Sequence, residues 1–359
     1  MNPINHLLKL RPAVPSLRRL GDDFLGQSAS RAAIGVALAL AVFAILLLVS
    51  GHDPADALLE AWNGVIGSSF GLSEVGVTMI PLVLTALATA IPTRAGLVNV
   101  GGEGQLYIGA LTATGTALFF PTGHIWLMLP VMALAGCAGG GLWAATAALL
   151  RHWRGVNEVI STLLANYIAI LLVNVFVFGP WKNPQGLGYP YTAPFEVAAI
   201  FPAIAGTRFH WGFLAPVVSV IVCYVILKHT LWGFKMRAVG GNPSAARRRG
   251  IAVNKYVIAA MIAGGGLAGL AGMVEVSGIH HDLRPGISDN LGYLGLLASW
   301  LAGHNPAVII AACFLIAVFL VAGDVLQLSV GLPSAAGLVL IGLALFFVLG
   351  LRRVERQAL

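Results

Sequence analysis

The chain has 359 residues, 58% of them hydrophobic and only 10% charged, with a mean hydropathy of +0.87; this excludes a soluble globular domain and points to an integral membrane protein. Lysine and arginine outnumber aspartate and glutamate 21 to 14, but the basic residues cluster in short loops and at the termini, which is a membrane-topology pattern and not a nucleic-acid footprint. The three cysteines, Cys137, Cys223 and Cys313, lie within apolar runs without Cys-x-x-Cys spacing or neighbouring histidines, so they read as packing residues.

Residues 1–31 carry Lys9, Arg11, Arg18, Arg19 and Arg31 but no long apolar core followed by a small-residue cleavage site. Asp22 and Asp23 break the segment further, and it is expected to be a cytosolic, partly amphipathic leader. Crossing about 30 Å of hydrocarbon takes roughly 20 helical residues. Apolar runs of that order place spans at Ala32–Ser50, Val75–Pro92, Val98–Phe120, Ile125–Leu150 and Val159–Phe178. Gly179–His210, with Pro180, Pro184, Pro190, Pro194 and Pro202, is too broken to span and reads as an external loop with one or two short helices that could cap the outer mouth. Further spans follow at Trp211–Leu227, Tyr256–Gly278, Ile287–Ala302, Pro306–Gly323 and Leu332–Leu351. The expected fold is all-α and polytopic. Ten crossings over residues 32–351 put both termini in the cytoplasm, with the basic tail 352–359 and every other basic cluster, and leave Asp53, Asp56 and Glu60 outside. The third and eighth spans are the weakest. Gly265 and Gly269, continued by Ala268 and Gly272, offer a small-x-x-x-small edge, and Gly139, Gly140 and Gly141 a second close-packing point.

Polar groups at membrane depth are the candidate pathway residues. In Asn99–Gln105 (NVGGEGQ), Gly101, Gly102 and Gly104 weaken a helix and permit unusual backbone angles, leaving Asn99, Glu103 and Gln105 to be satisfied. Non-helical backbone in a bilayer survives only when covered by protein or facing water, so the segment lines the pathway or an interior cavity. The alternative is a cytoplasmic turn with Glu103 solvated beside Arg94. In Gly155–Asn166 (GVNEVISTLLAN), helical spacing puts Glu158, Ser161, Thr162 and Asn166 on one arc, with Asn174 towards the far end. That stripe faces either the translocation path or neighbouring helices, and Glu158 and Asn157 could equally cap the helix start. His280 and His281 are adjacent and do not share one helical face, so they and Asp282 are not expected to bind a metal.

The stretch Leu231–Val253 is a basic island between two spans, with Lys235, Arg237, Arg247, Arg248 and Arg249 and no acidic residue. The run from Ser244 to Arg249 predicts a short helix capped by Ser244 or Asn242, with Pro243 in its first turn and Gly240, Gly241 and Gly250 at its ends. Charge alone would make this loop, within residues 228–255, a topology determinant.

The pattern through Gly233, Arg237, Ala238, Val239, Gly240, Asn242, Pro243, Ala245, Ala246, Gly250 and Ile251, with NVGGEGQ and GVNEVISTLLAN before it, resembles the membrane permease subunits of bacterial ABC importers for simple sugars, nucleosides and related solutes. The resemblance runs from about Val75 to Gly350. It implies that the island is the cytoplasmic coupling helix seated on an ATPase, with Gly233 to Gly250 as its contact residues. The run Leu291–Pro306 also fits through Gly292, Gly295, Gly303 and Pro306, but Leu294 stands where such permeases often carry a polar residue, which weakens any transfer of ligand preference. Tyr293, Ser299 and Trp300 could meet a sugar ring or a base, or anchor at the interface.

The implied protein is a non-enzymatic subunit in the bacterial inner membrane, surrounded by lipid and binding no nucleic acid. Its partners would be a cytoplasmic ABC ATPase, a second permease subunit, identical or homologous, and a periplasmic or lipid-anchored solute-binding protein. No nucleotide-binding motif occurs in the sequence, so ATP and magnesium would bind the partner, and no cofactor is expected on this chain. The runner-up is a secondary transporter driven by an ion gradient, which would need intramembrane carboxylates; only Glu103, Glu158, Glu275 and Asp324 approach the bilayer, all near span ends. A membrane-embedded enzyme ranks third, for want of a catalytic motif.

Overall fold

The structure, a computed structural model, describes residues 17–351 apart from 205 and 334, with side chains described from residue 30 onward except Arg31. Residues 1–16 of the expected leader and the basic tail lie outside the described residues. Among those described, the elements are α1 (Leu17–Val49), α2 (Pro54–Val65), α3 (Ser69–Arg94), α4 (Gly102–Phe119), α5 (Ile125–Arg154), α6 (Glu158–Phe178), α7 (Leu214–His229), α8 (Leu231–Gly241), α9 (Pro243–Arg248), α10 (Val253–Glu275), α11 (Leu291–Leu301), α12 (Pro306–Ser329) and α13 (Ala335–Gly350). The protein is an all-α polytopic membrane protein. Among the described residues, seven helical segments are long and apolar enough to cross a membrane, in α1, α3, α5, α6, α7, α10 and α12. Together with α4 and the shorter apolar α11 and α13 they occupy the ten predicted runs. The two runs weakest in sequence are α4, which opens on polar residues, and α11, which is only 11 residues long.

The chain divides into two compact units, residues 1–57 with 338–359, and residues 58–337. In the first, α1 buries Ala39, Phe43 and Leu47, spaced four apart, and a Cβ on Gly35 would lie 2.7 Å from the Val348 side chain. Those spacings give one helical face turned to the C-terminal helix.

In the second unit, α10 packs against α3, α4 and α5. Lipid tails are as apolar as leucine, so close approach of backbones has to supply the contact energy. A Cβ on Gly109 of α4 would fall 2.2 Å from the Gly269 Cα, one on Gly140 of α5 would fall 2.3 Å from the Gly265 carbonyl, and one on Gly272 would fall 2.1 Å from the Leu106 carbonyl. The predicted glycine edges are thus the places where α4, α5 and α10 touch. α3 is nearly all inside: its residues Ile80 to Pro92 are continuously buried, and it is packed by α7, α10, α11 and α12.

Some expectations shift. The segment after the first span, expected to be external, holds α2, started by Asp53, whose Oδ1 accepts from Ala55 N at 2.8 Å. The span predicted from Val75 begins at Ser69, because Ser68 caps it and accepts from Gly71 N at 2.9 Å. Of the one or two short helices expected in the proline-rich loop, the described residues hold one, the 3-10 turn Val197–Ala199. The loop lies over the end of α10: Thr192 N donates to Leu283 O at 3.0 Å, Phe195 N to His281 O at 2.9 Å, and Phe201 N to Ser277 O at 3.0 Å. There α10 ends in a π-turn, Val276–His280. The His210 ring sits against Gly278, and burial, helped by nearby His281, pushes its imidazole down to about 4, so it is neutral near pH 7. Asp282 pairs with Arg284 at 2.6 Å and His280 Nε2 lies 3.6 Å from Glu275 Oε1, so these side chains turn to separate partners.

Candidate functional site

Between α3 and α4 the chain is not helical, and Leu97, Asn99 and Gly101 are buried. Buried backbone needs partners, and in a membrane only protein can supply them. The polar arc of α6 does so. Val100 N donates to Thr162 Oγ1 at 3.3 Å, Asn166 Nδ2 donates to Val100 O at 2.9 Å, and Asn166 Oδ1 accepts from Gly104 N, in the first turn of α4, at 2.9 Å. Glu158, ion-paired with Arg151, completes the row nearer the basic end. The amides of Asn99 and Gln105 bond each other at 2.9 and 3.0 Å, and Asn99 Oδ1 also accepts from Gly101 N at 3.0 Å. The glycines are steric requirements: a Cβ on Gly101 would meet Gln105 Nε2 at 2.6 Å, one on Gly104 would meet Asn166 Cα at 2.8 Å, and Gly102 faces the Gly292 carbonyl at 3.3 Å.

Glu103 joins this interruption to a second one. After α10 the chain descends through Asp289 (φ 43°) and Asn290 (φ 68°), and α11 starts without a side-chain cap of its own. Glu103 Oε2 accepts from Gly292 N at 2.8 Å, placing a carboxylate from α4 at the N-terminus of α11, where the helix dipole favours negative charge. Gly292 admits it, since a Cβ there would lie 2.2 Å from Glu103 N. The far end of α11 is held by Arg94, whose Nη2 donates to His304 O at 2.7 Å. At 1.5 Å per residue α11 is roughly 16 Å long, so Glu103 sits about half a bilayer from the Arg94 end. Tyr293, half-buried, closes the ring by accepting from Asn166 Nδ2 at 3.1 Å.

The eight predicted pathway residues, Asn99, Gly101, Gly102, Glu103, Gln105, Glu158, Thr162 and Asn166, therefore fall in one buried cluster. The segment is not a solvated turn beside Arg94; it is covered by protein, with its polar side chains bonded to backbone and to one another. Sequence reasoning did not pair Glu103 with α11, although the paired glycines of LGYLG hinted at a close backbone approach.

At the basic end, α8 and α9 form an elbow. Thr230 caps α8, accepting from Gly233 N at 3.3 Å, and Gly233 allows the tight turn from α7, since a Cβ there would lie 2.4 Å from the Leu227 carbonyl. The Arg237 guanidinium donates back to that same Leu227 carbonyl. Gly240 and Gly241, which read as punctuation before the short helix, are the last two residues of α8; a Cβ on Gly240 would lie 2.4 Å from the Arg94 carbonyl, so the helix crosses the end of α3 in backbone contact. α9 begins as predicted, with Asn242 Oδ1 accepting from Ala245 N at 2.9 Å, Pro243 in the first turn, and Gly250 at φ 79° behind it. Ala246 points inward, 4% exposed, packed with Val239 and Val253, and Ala238 is half-buried. Ala245, Arg247, Arg248 and Arg249 are exposed, so the outward face carries one of the two alanines.

The family model of the branched-chain amino acid transport system permease component matches residues 71–349. The chain belongs to this permease family. It is 33% identical over 325 residues to the glucose ABC transporter permease protein TsgB13 of Haloferax volcanii, covering 88% of this chain and 85% of that one. It is 30% identical to the guanosine ABC transporter permease protein NupP of Bacillus subtilis, covering 88% and 91%, and 27% identical to the nucleoside ABC transporter permease protein NupB of Lactococcus lactis, covering 88% and 89%. Each of these two bacteria has a second similar permease, NupQ and NupC, at 28% and 31% identity. The protein is an ABC transporter permease, a multi-pass transport subunit, and both polar interruptions and the elbow lie inside the matched region.

Proposed function

We propose that this chain is one of two membrane subunits of an ATP-driven importer that moves a small polar solute, a nucleoside or simple sugar, across the inner membrane into the cytoplasm. The observation that carries the reading is a continuous line of contacts. Gly240 of the elbow lies on the Arg94 carbonyl, the Arg94 side chain holds the end of α11, and the start of α11 is capped by Glu103 of α4. Closure of an ATPase dimer on ATP would push the exposed arginines of α9, and the push would reach the polar core through α3 and α11. ATP and magnesium belong to that partner, and a periplasmic or lipid-anchored binding protein would deliver the solute. The paired permeases of two relatives' organisms support a second, homologous membrane subunit here.

In this role the polar cluster holds the two interrupted helices in register beside the pathway, and the half-exposed Tyr293 is its member that meets the solute. Tyr293→Phe should then raise the KM for uptake roughly 2- to 10-fold, the worth of one neutral hydrogen bond, with little change in maximal rate. An unchanged KM removes Tyr293 from the pathway. Orientation is tested separately: reporter fusions after Arg154, Pro190, Arg249 and Arg356 should read inside, outside, inside and inside, and an external Arg249 would overturn the arrangement. The mode of energy supply is read in proteoliposomes, where uptake should need the ATPase subunit and ATP. Uptake by this chain alone under an ion gradient would promote the secondary-transporter reading.

A further inference from the structure

Two hollows lie along the seam where α3, α7 and α12 meet. The inner one, about 300 Å³, is lined by Arg94, Lys228 and Arg237 with Tyr224, Asn305 and Pro306. None of the three cations forms an ion pair among the described residues. They donate instead to neutral oxygens: Arg94 Nη2 to His304 O at 2.7 Å, Lys228 Nζ to the Tyr224 hydroxyl at 2.7 Å, and Arg237 to Leu227 O. The Arg94 Nε is buried with no hydrogen-bond partner among the described residues. Asn305 and Pro306 open α12, so the positive end of that helix lies at the same space. Three like charges around one small cleft, with no carboxylate among them, repel unless an anion completes the set.

The outer hollow, about 210 Å³, is lined by carbon, including Met79, Ile80 and Val83 of α3, Val217 and Val220 of α7, and Ile310 of α12. Val220 is one helical turn from Tyr224 and Ile310 one turn from Pro306, so the groove leads from the cleft into the membrane. A charged cleft at the basic end with an apolar groove running inward from it fits an amphiphile with an acidic head. We propose that this seam holds one anionic phospholipid, its phosphate among Arg94, Lys228 and Arg237 and an acyl chain in the groove. A soluble phosphate would use the cleft and leave the groove without a role. A two-fold contact between copies of the chain through this seam would set three cations against three. The bound headgroup would tie α8 to α3, α7 and α12 and so brace the first helix of the elbow. The assignment rests on residence in a membrane and is independent of which solute is carried.

The full-length chain, purified and placed in nanodiscs of phosphatidylcholine with phosphatidylglycerol, should retain phosphatidylglycerol preferentially when its bound lipids are counted by native mass spectrometry. Lys228→Gln, which alters an exposed side chain bonded to the Tyr224 hydroxyl, should lower that preference by about five-fold, as expected for one basic group at the membrane surface. Lys228→Gln with Arg237→Gln should abolish it, and Arg284→Gln at the opposite end should leave it unchanged. Equal retention of the two lipids, or a preference indifferent to Lys228→Gln and to the double change, overturns the proposal. Displacement of the lipid by millimolar inorganic phosphate does so as well, by reducing the site to one for free phosphate.

Discussion

Glu103→Ala is expected to abolish uptake and to lower the thermal stability of the purified chain by several degrees, and Glu103→Gln to fall between it and the wild type. The carboxylate is 2% exposed, and its Oε2 accepts from Gly292 N at 2.8 Å at the otherwise uncapped start of α11. A hydrogen bond to a charged group is worth about 1.5–3 kcal/mol, and its removal also leaves a buried donor without a partner in a place water does not reach. The loss is therefore on the order of 3 kcal/mol, large beside the usual effect of a point change. Glutamine keeps the shape and one acceptor oxygen but loses the charge that favours the helix end, and it brings two N–H donors that need partners of their own. The checks are thermal unfolding in detergent and uptake in proteoliposomes. If Glu103→Ala unfolds like the wild type while uptake is lost, Glu103 acts on the solute or on a proton and not as the cap of α11. Full ATP-driven uptake by Glu103→Gln would deprive an ion-coupled mechanism of its most buried candidate in the two interrupted helices.

The ten apolar runs were legible because hydrocarbon thickness fixes their length, and the polar arc of α6 because its period is that of a helix. What the arc bonds was not legible. Thr162 and Asn166 satisfy backbone groups 62 and 66 residues away, and Glu103 reaches Gly292 across 189. Such pairs follow from how helices stack, and no local pattern encodes them. Gly240 and Gly241 argue for a helix end, and α8 ends on them, but the sequence did not show that the crossing with α3 needs a residue without a Cβ at Gly240. Asn99–Gln105 reads as a place where a helix begins or breaks, and α4 begins inside it, at Gly102, yet the choice between solvated turn and buried segment depended on α6 and α11 arriving over it.

The contrast between two neighbouring alanines tests the coupling role of the elbow. Ala245 is exposed beside Arg247, Arg248 and Arg249, while Ala246 is packed with Val239 and Val253. Ala245→Glu should leave insertion and thermal stability near wild type, because its carboxylate stays in water. It should cut co-purification of the ATPase and ATP-driven uptake about ten-fold or more, because a helix seated in a cleft cannot admit a long side chain on its narrow face; ten-fold corresponds to about 1.4 kcal/mol. Ala246→Glu should fail earlier. Its carboxylate has no cation in the valine cluster, and burying an unpaired charge costs several kcal/mol, so the elbow should unfold and the chain be recovered in lower yield. Replacing Arg247, Arg248 and Arg249 together by glutamine should weaken docking less than Ala245→Glu and mainly at low salt, since exposed charge contacts are each worth about 0–1 kcal/mol and are screened. The readouts are ATPase co-purification, substrate-stimulated ATP hydrolysis and uptake in proteoliposomes. Full uptake by Ala245→Glu would move the docking surface off α9, and an Ala246→Glu chain as stable as the wild type would contradict the inward packing of that residue.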